Sequence, residues 1–268
     1  MIHPTAIIHP KAQLHESVKV GPYAVIEAGV VAGKDCVIGP HVFLTGDTLI
    51  GAKNKFHAGC KIGDAPQDLK YKNEATQLRI GDNNVFREQV TIHRSALTSE
   101  ATVIGSNNYL MVNCHVGHNC TIGNHVIMAN GALLGGHVAV GDRAFVSGNC
   151  LVHQFVRVGT VALMQGGAAI SKDLPPYTVA RGDNGICGLN VLGLRRAGFS
   201  AEQRAELKRL YRKLFRTGMR LRAAIAEARK KFSSPAAQTM LEFMSTAKRG
   251  ICMDVGSKFL AEADSEES

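Results

Sequence analysis

The chain has 268 residues, a formal net charge of +9, 28 glycines, no tryptophan and 6% aromatic residues. No apolar run approaches the roughly 20 residues that cross a bilayer, which excludes a transmembrane helix, and the composition suits short strands joined by tight turns better than a helical bundle. The positive balance calls for an acidic partner, for which nucleic acid, anionic lipid, a nucleotide and an acidic protein all qualify.

A six-residue period opens at Ile2 and runs through Ile8, Leu14, Val20, Ile26, Ala32, Ile38, Leu44, Ile50, Phe56 and Ile62. Glycine often follows the large apolar residue, as in Val20-Gly21, Ile38-Gly39 and Ile62-Gly63, where it permits a corner that a side chain would obstruct. The residue four places on is usually small: Ala24, Cys36, Cys60, Cys114, Cys120, Ala132, Ala144, Cys150. Side chains two and four positions apart share one face of a strand, so each hexapeptide sends one large and one small residue inward. The five cysteines in this register read as small core residues. With no CxxC pair in the chain, a reducing cytoplasm is expected. The repeat begins so early that no charged-then-apolar export segment fits before it.

Residues 63–79 and 93–103 are polar and interrupt the period without shifting it, so both are expected to leave the coil as loops. The series resumes at Ile80, Phe86 and Ile92, then runs from Ile104 to Ile170. Three hexapeptides make an 18-residue triangular coil, and coils stack as parallel strands. His118, Gly136 and Gln154 are 18 apart and form one column, with His115, His137 and His153 close to it.

Three readings of these histidines compete. They are ordinary surface or interface residues, a zinc site lacking any carboxylate or cysteine at a recognisable spacing, or the surroundings of one general base. In the last case a neighbouring backbone N–H holds an acyl oxyanion, and Gly136 allows close approach to its amide.

After Pro175-Pro176 the period fades. Ser200-Ala201-Glu202-Gln203 is a capping box, followed at helical spacing by Leu207, Leu210, Tyr211, Leu214 and Phe215, and a second helix is expected from near Pro235. The last few residues have the composition of a disordered tail. The expected organisation is a mainly β chain, with a parallel β-helix over 1–186 and a helical domain over 187–268.

The strings QDLKY (67–71), VTIHR (90–94), NCHVGHNC (113–120), GGHV (135–138), VHQF (152–155), DLPPY (173–177) and RRAGFS (195–200) resemble the UDP-N-acetylglucosamine O-acyltransferases of lipid A synthesis. They belong to the hexapeptide acyltransferase superfamily. That resemblance implies a left-handed coil and a homotrimer with active sites between adjacent prisms. It implies transfer of an (R)-3-hydroxyacyl chain from acyl carrier protein to the glucosamine 3-hydroxyl, without metal, cofactor or nucleic acid. By the same resemblance His118 is the general base and Gly136 the oxyanion donor. Asp68, Lys70, His115, His137, His153, Gln154, Asn190 and Arg196 contact the substrate, and Ala169 stands where acyl length is limited. Two positions depart from the family pattern: Asn119 where aspartate is common, and Ala197 where a second arginine is frequent. A 3-amino sugar nucleotide as acceptor, or a weakly active nucleotide- or carrier-binding scaffold, is the alternative. A related N-acyltransferase carries an additional N-terminal uridine-binding domain, whereas this repeat starts at Ile2.

Overall fold

Short strands follow one another round a three-sided coil in the computed structural model, which describes residues 1–256. Every third strand of the coil lies in the same sheet, giving three stacks of 9, 8 and 11 strands that are parallel except for one antiparallel return in the third. The pairing His115↔Leu133↔Leu151↔Ala169 reproduces the 18-residue coil in one of them. Large residues such as Leu44, Ile62, Val116 and Leu134, and small ones such as Ala24, Cys36, Cys114 and Ala132, are all fully buried. Each large side chain taken from water contributes about 1.5–3 kcal/mol, repeated coil after coil.

The glycines after the large residues have a different cause from the one expected. A Cβ on Gly39 would lie 2.7 Å from the Phe56 carbonyl oxygen, and one on Gly105 would lie 2.5 Å from that of Gly123. Close stacking of the next coil excludes a side chain there. The left-handed backbone falls instead two residues further on, at Asn83, Asn107, Asn119, His137 and Asn149, with φ between 55° and 61°. Asparagine tolerates that region better than most residues do.

The two excursions keep the period because each adds whole hexapeptides. Ile62 pairs with Ile92 and Ile80 with Ile104, which are 12 and 6 residues beyond the ordinary spacing of 18. Strands reach Asp64 and restart at Gln77, then reach His93 and restart at Ala101, so both loops are shorter than their polar composition suggests. Inside the same region Asn54, Asn84 and Asn108 form a buried ladder. Asn54 Oδ1 accepts from the Asn84 backbone N–H at 3.0 Å, and Asn84 Oδ1 from that of Asn108 at 2.9 Å.

The last coil is closed by Thr178–Arg181, an antiparallel return over Gly185–Leu189, and the late strand Met253–Asp254. Four helices follow the return: α1 (Val191–Arg196), α2 (Ala201–Phe215), α3 (Leu221–Lys231) and α4 (Pro235–Ser245). The Ser200/Gln203 capping box starts α2 and Pro235 opens α4, as read from the sequence. Helices α1 and α3 were not expected. The buried face of α3 is Ala224, Ile225 and Ala228, too small to mark a stripe, and its N-cap Arg220 makes no side-chain cap. Leu207, Leu210, Leu214, Met240 and Leu241 form a second core with Val161 and Tyr177 of the coil. The Glu- and Ser-rich tail lies outside the described residues. Among the described residues no helix is long and apolar enough to cross a membrane.

All seven cysteines are free thiols. Cys114, Cys120 and Cys150 each donate to a carbonyl 15 residues ahead, at 3.0–3.1 Å. Burial pushes the Cys114 thiol up to about 11 and that of Cys120 up to about 12, so the thiolate is suppressed. Of the seven, only Cys187 is not buried. Titration of the native protein with Ellman's reagent should therefore label Cys187 alone, and all seven thiols only after denaturation.

Candidate active site

A cleft of about 680 Å³ runs along the sheet of His115, Leu133, Leu151 and Ala169. His118 stands at its lower end, on the corner that follows strand His115–Val116. Its Nδ1 is 2.9 Å from Asn119 Oδ1. Its Nε2 is turned to the next coil, where a Cβ on Gly136 would come within 2.7 Å of it, so only glycine leaves the ring this room. The N–H groups on either side of Gly136 are committed: Gly135 donates to Val152 O and His137 to His118 O, both at 2.9 Å. Among the described residues the Gly136 N–H has no acceptor. A bare imidazole nitrogen and an unpaired N–H thus meet at one end of a cleft whose wall continues through exposed Leu133 and Leu151.

Neighbouring histidines are held neutral. Burial, with His93 and His118 nearby, pushes His115 down to about 4, and its Nδ1 lies 2.7 Å from Thr91 Oγ1. Burial lowers His93, which meets His115 edge to face at 5.2 Å. It also lowers His137, which is stacked on Phe155 at 4.6 Å and set edge-on to His118 at 5.2 Å. A proton taken up at Nε2 of His118 therefore meets no permanent positive charge on these rings. The His115 shift has a thermodynamic sign. The unfolded chain binds that proton near 6.5 and the folded chain only near 4, so the contribution of His115 is complete above about 6.5 and is lost as pH falls through about 4. Urea unfolding between pH 7 and 4 should show this loss, up to roughly 3 kcal/mol, and His115→Gln should flatten that part of the pH dependence.

Of the residues expected in the site, His115, His118, Gly136, His153, Gln154 and Ala169 line this cleft. His137 lines an adjoining cleft of about 640 Å³ together with Arg157, Lys248 and Arg249, and Arg249 Nη2 reaches within 3.2 Å of His153 Nδ1. Asp68 and Lys70 lie on the first excursion, which gives Gln67 to the cleft lining; Asp68 Oδ1 accepts from the Lys70 backbone N–H at 2.9 Å. Arg94 ties that loop to the second one, donating to Gly63 O at 2.9 Å and to the Tyr71 hydroxyl at 3.0 Å. Asn190 and Arg196 stand apart, lining a smaller pocket on the sheet of Ile127, Phe145 and Leu163. Asn190 is buried and caps α1, accepting from Gly193 N–H and donating to Val161 O. His93 was missed in the sequence because the six inserted residues break the 18-residue column that would have placed it beneath Gly117. Asp183 and Asn184, at the far end, lie beyond the last clear hexapeptide.

Two family models match parts of the chain. Residues 11–46 and 101–136 match the bacterial transferase hexapeptide (six repeats) family, and 173–252 match the second domain of UDP-N-acetylglucosamine O-acyltransferase. The chain is 44% identical over 254 residues to the acyl-[acyl-carrier-protein]–UDP-N-acetylglucosamine O-acyltransferase of Thermodesulfovibrio yellowstonii, covering 94% of this chain and 98% of that one. It is 45% identical over 258 residues to the Janthinobacterium enzyme of the same name, with the same coverage. Among solved structures, the UDP-N-acetylglucosamine acyltransferase of Francisella novicida superposes with a TM-score of 0.92 at 36% identity, covering 95% of both chains. That of Bacteroides fragilis gives 0.90 at 39%, covering 94% of this chain and 99% of its own. With that identity over nearly the full length of these enzymes, and the second-domain match at the helical end, the chain belongs to the UDP-N-acetylglucosamine O-acyltransferase family.

Proposed function

We propose that the chain moves an (R)-3-hydroxyacyl group from acyl carrier protein to the 3-hydroxyl of UDP-N-acetylglucosamine, the step that opens lipid A synthesis. The observation that carries the site assignment is the pairing of His118 Nε2 with the unpaired Gly136 N–H at the end of the cleft. His118 takes the proton of the sugar hydroxyl, and the oxygen attacks the thioester carbonyl. The new C–O bond forms as negative charge moves to the carbonyl oxygen, where the Gly136 N–H stabilises it. Collapse breaks the C–S bond, and His118 returns its proton to the departing thiolate. His115, His153 and Gln154 hold the acceptor at the mouth, with Asp68, Lys70 and His137 beside them.

The acyl chain lies along Leu133 and Leu151 toward Ala169, three coils and roughly 14 Å above His115. The working form is a homotrimer, because Asn190 and Arg196 serve the nucleotide bound at another protomer. That reading is supported by their place on a different sheet from His118, and by exposed Ile127, Leu133 and Leu151 on the two faces concerned. We take 1–186 as the coil domain and 187–268 as the helical one, whose described part bears the second core. The net charge of +9 suits two acidic clients, the diphosphate and the carrier protein. Seven free thiols suit a cytoplasmic location.

The test is product formation from a panel of (R)-3-hydroxyacyl carrier proteins and UDP-N-acetylglucosamine, read by mass spectrometry. His118→Ala should lower kcat by about 10²–10⁴ while sedimentation still gives a trimer. Absence of product with every donor in the wild-type protein would sink the reading. Ala169→Gly should move donor preference to longer chains and Ala169→Met to shorter ones.

A further inference from the structure

An imidazole that takes a proton during turnover is stabilised by a carboxylate behind it, and Asn119, which backs His118, is neutral. All four hydrogen-bonding positions of the Asn119 amide are nevertheless filled. Oδ1 accepts from the Ala96 backbone N–H at 2.9 Å and faces His118 Nδ1 at 2.9 Å. Nδ2 donates to Ser95 Oγ at 2.6 Å and to Glu100 Oε2 at 3.0 Å. Two of these partners fix the amide's orientation, since a backbone N–H can only donate and an ionised carboxylate can only accept. The ring nitrogen facing Oδ1 must then carry the hydrogen, which leaves Nε2 bare toward Gly136. Asn119 itself is 8% exposed, and its backbone N–H is held by Thr102 Oγ1 at 2.8 Å. The Ser95 hydroxyl donates to Leu97 O, so it meets the amide only as an acceptor.

We infer that Glu100, on the second excursion, is a positioning residue for the reaction proposed above, supplying the negative charge behind His118 through the Asn119 amide. The inference rests on that reading for its catalytic meaning, and on the four contacts for its geometry. The same contacts make aspartate wrong at position 119 in this chain, because a carboxylate oxygen in place of Nδ2 would stand 3.0 Å from Glu100 Oε2. Asparagine at 119 and glutamate at 100 are therefore a matched pair. The other titratable groups around His118 are His93, His115 and His137, with Asp64 and Arg94 acting on His93, and Glu100 and Asp68 on His137. Among the described residues Glu100 is the one charged group bonded to the Asn119 side chain.

The experiment compares wild type, Glu100→Gln, Asn119→Asp and the double variant. It measures kcat, KM for UDP-N-acetylglucosamine and the pH profile of kcat/KM, alongside ¹⁵N NMR of the His118 ring. Glu100→Gln should lower kcat by about ten- to a hundredfold with KM nearly unchanged. It should also move the acid limb to lower pH, since losing the carboxylate disfavours the imidazolium. Asn119→Asp alone should be impaired, and adding Glu100→Gln should restore much of the loss. An unchanged kcat and pH limb in Glu100→Gln, or a double variant no better than Asn119→Asp, overturns the inference. So does a loss of melting temperature with the pH limb fixed, which is what a merely structural loop contact gives. Failure of the wild type to turn over strikes the acyl-transfer reading instead. The NMR arm then still decides the positioning role, which requires an Nδ1–H ring in wild type and a lower His118 titration midpoint in Glu100→Gln.

Discussion

Parallel strands stacked one hydrogen-bond spacing apart, roughly 4.8 Å, set the scale of this molecule. Once a coil takes 18 residues, every side chain has a neighbour one coil above and below it, and the period becomes a lattice. That lattice explains why glycine follows the large apolar residues, whose successor would press a Cβ into the coil above. It also puts the ring of His118 against the backbone of Gly136, a contact made by stacking and not by any loop. The geometry proposed for catalysis is thus a by-product of the spacing that holds the fold together.

Rigidity of that kind leaves adjustment to what the lattice does not contain. The cleft floor of Leu133, Leu151 and Ala169 is strand, fixed on both sides by its neighbours. The carboxylate bonded to the Asn119 amide, Glu100, comes from the second excursion, and the basic groups at the mouth, such as Arg249, come from the last segment. The proposed chemistry and acyl-length control therefore sit on the stiff part, while charge and access sit on the grafted parts. Neutral His93 and His115 suit this arrangement, because a burial penalty on a fixed strand cannot be relieved by moving away.

The coil was legible because its signal repeats: one apolar residue every six positions, each with a small partner, over most of the chain. The His118–Gly136–Gln154 column followed from the same arithmetic, as did the level of Ala169. What escaped had physical reasons. Helix α3 buries alanines, so its apolar face is nearly silent in the sequence. The inserted hexapeptides kept the phase but moved His93 off its column. The role of glycine at the corners was assigned to backbone freedom, whereas the left-handed corner residues are more often asparagine or histidine than glycine. Asn119 showed in the sequence as a departure from the family, but its partners Ser95, Ala96 and Glu100 lie 19 to 24 residues away on a loop with no periodicity. No spacing rule reaches across such a loop.

Arg94 gives the two excursions a shared fate. One guanidinium holds Gly63, on the strand that leads into the first loop, and Tyr71 of that loop from its seat at the root of the second, which also bears Ser95 and Glu100. Lengthening or exchanging either loop alone would leave that guanidinium facing the wrong partners and disturb the amide behind His118. In descent, the two loops can be expected to travel as a single heritable module. A chimera that transplants one of them from a relative carries a mismatch at Arg94 unless the other is transplanted with it.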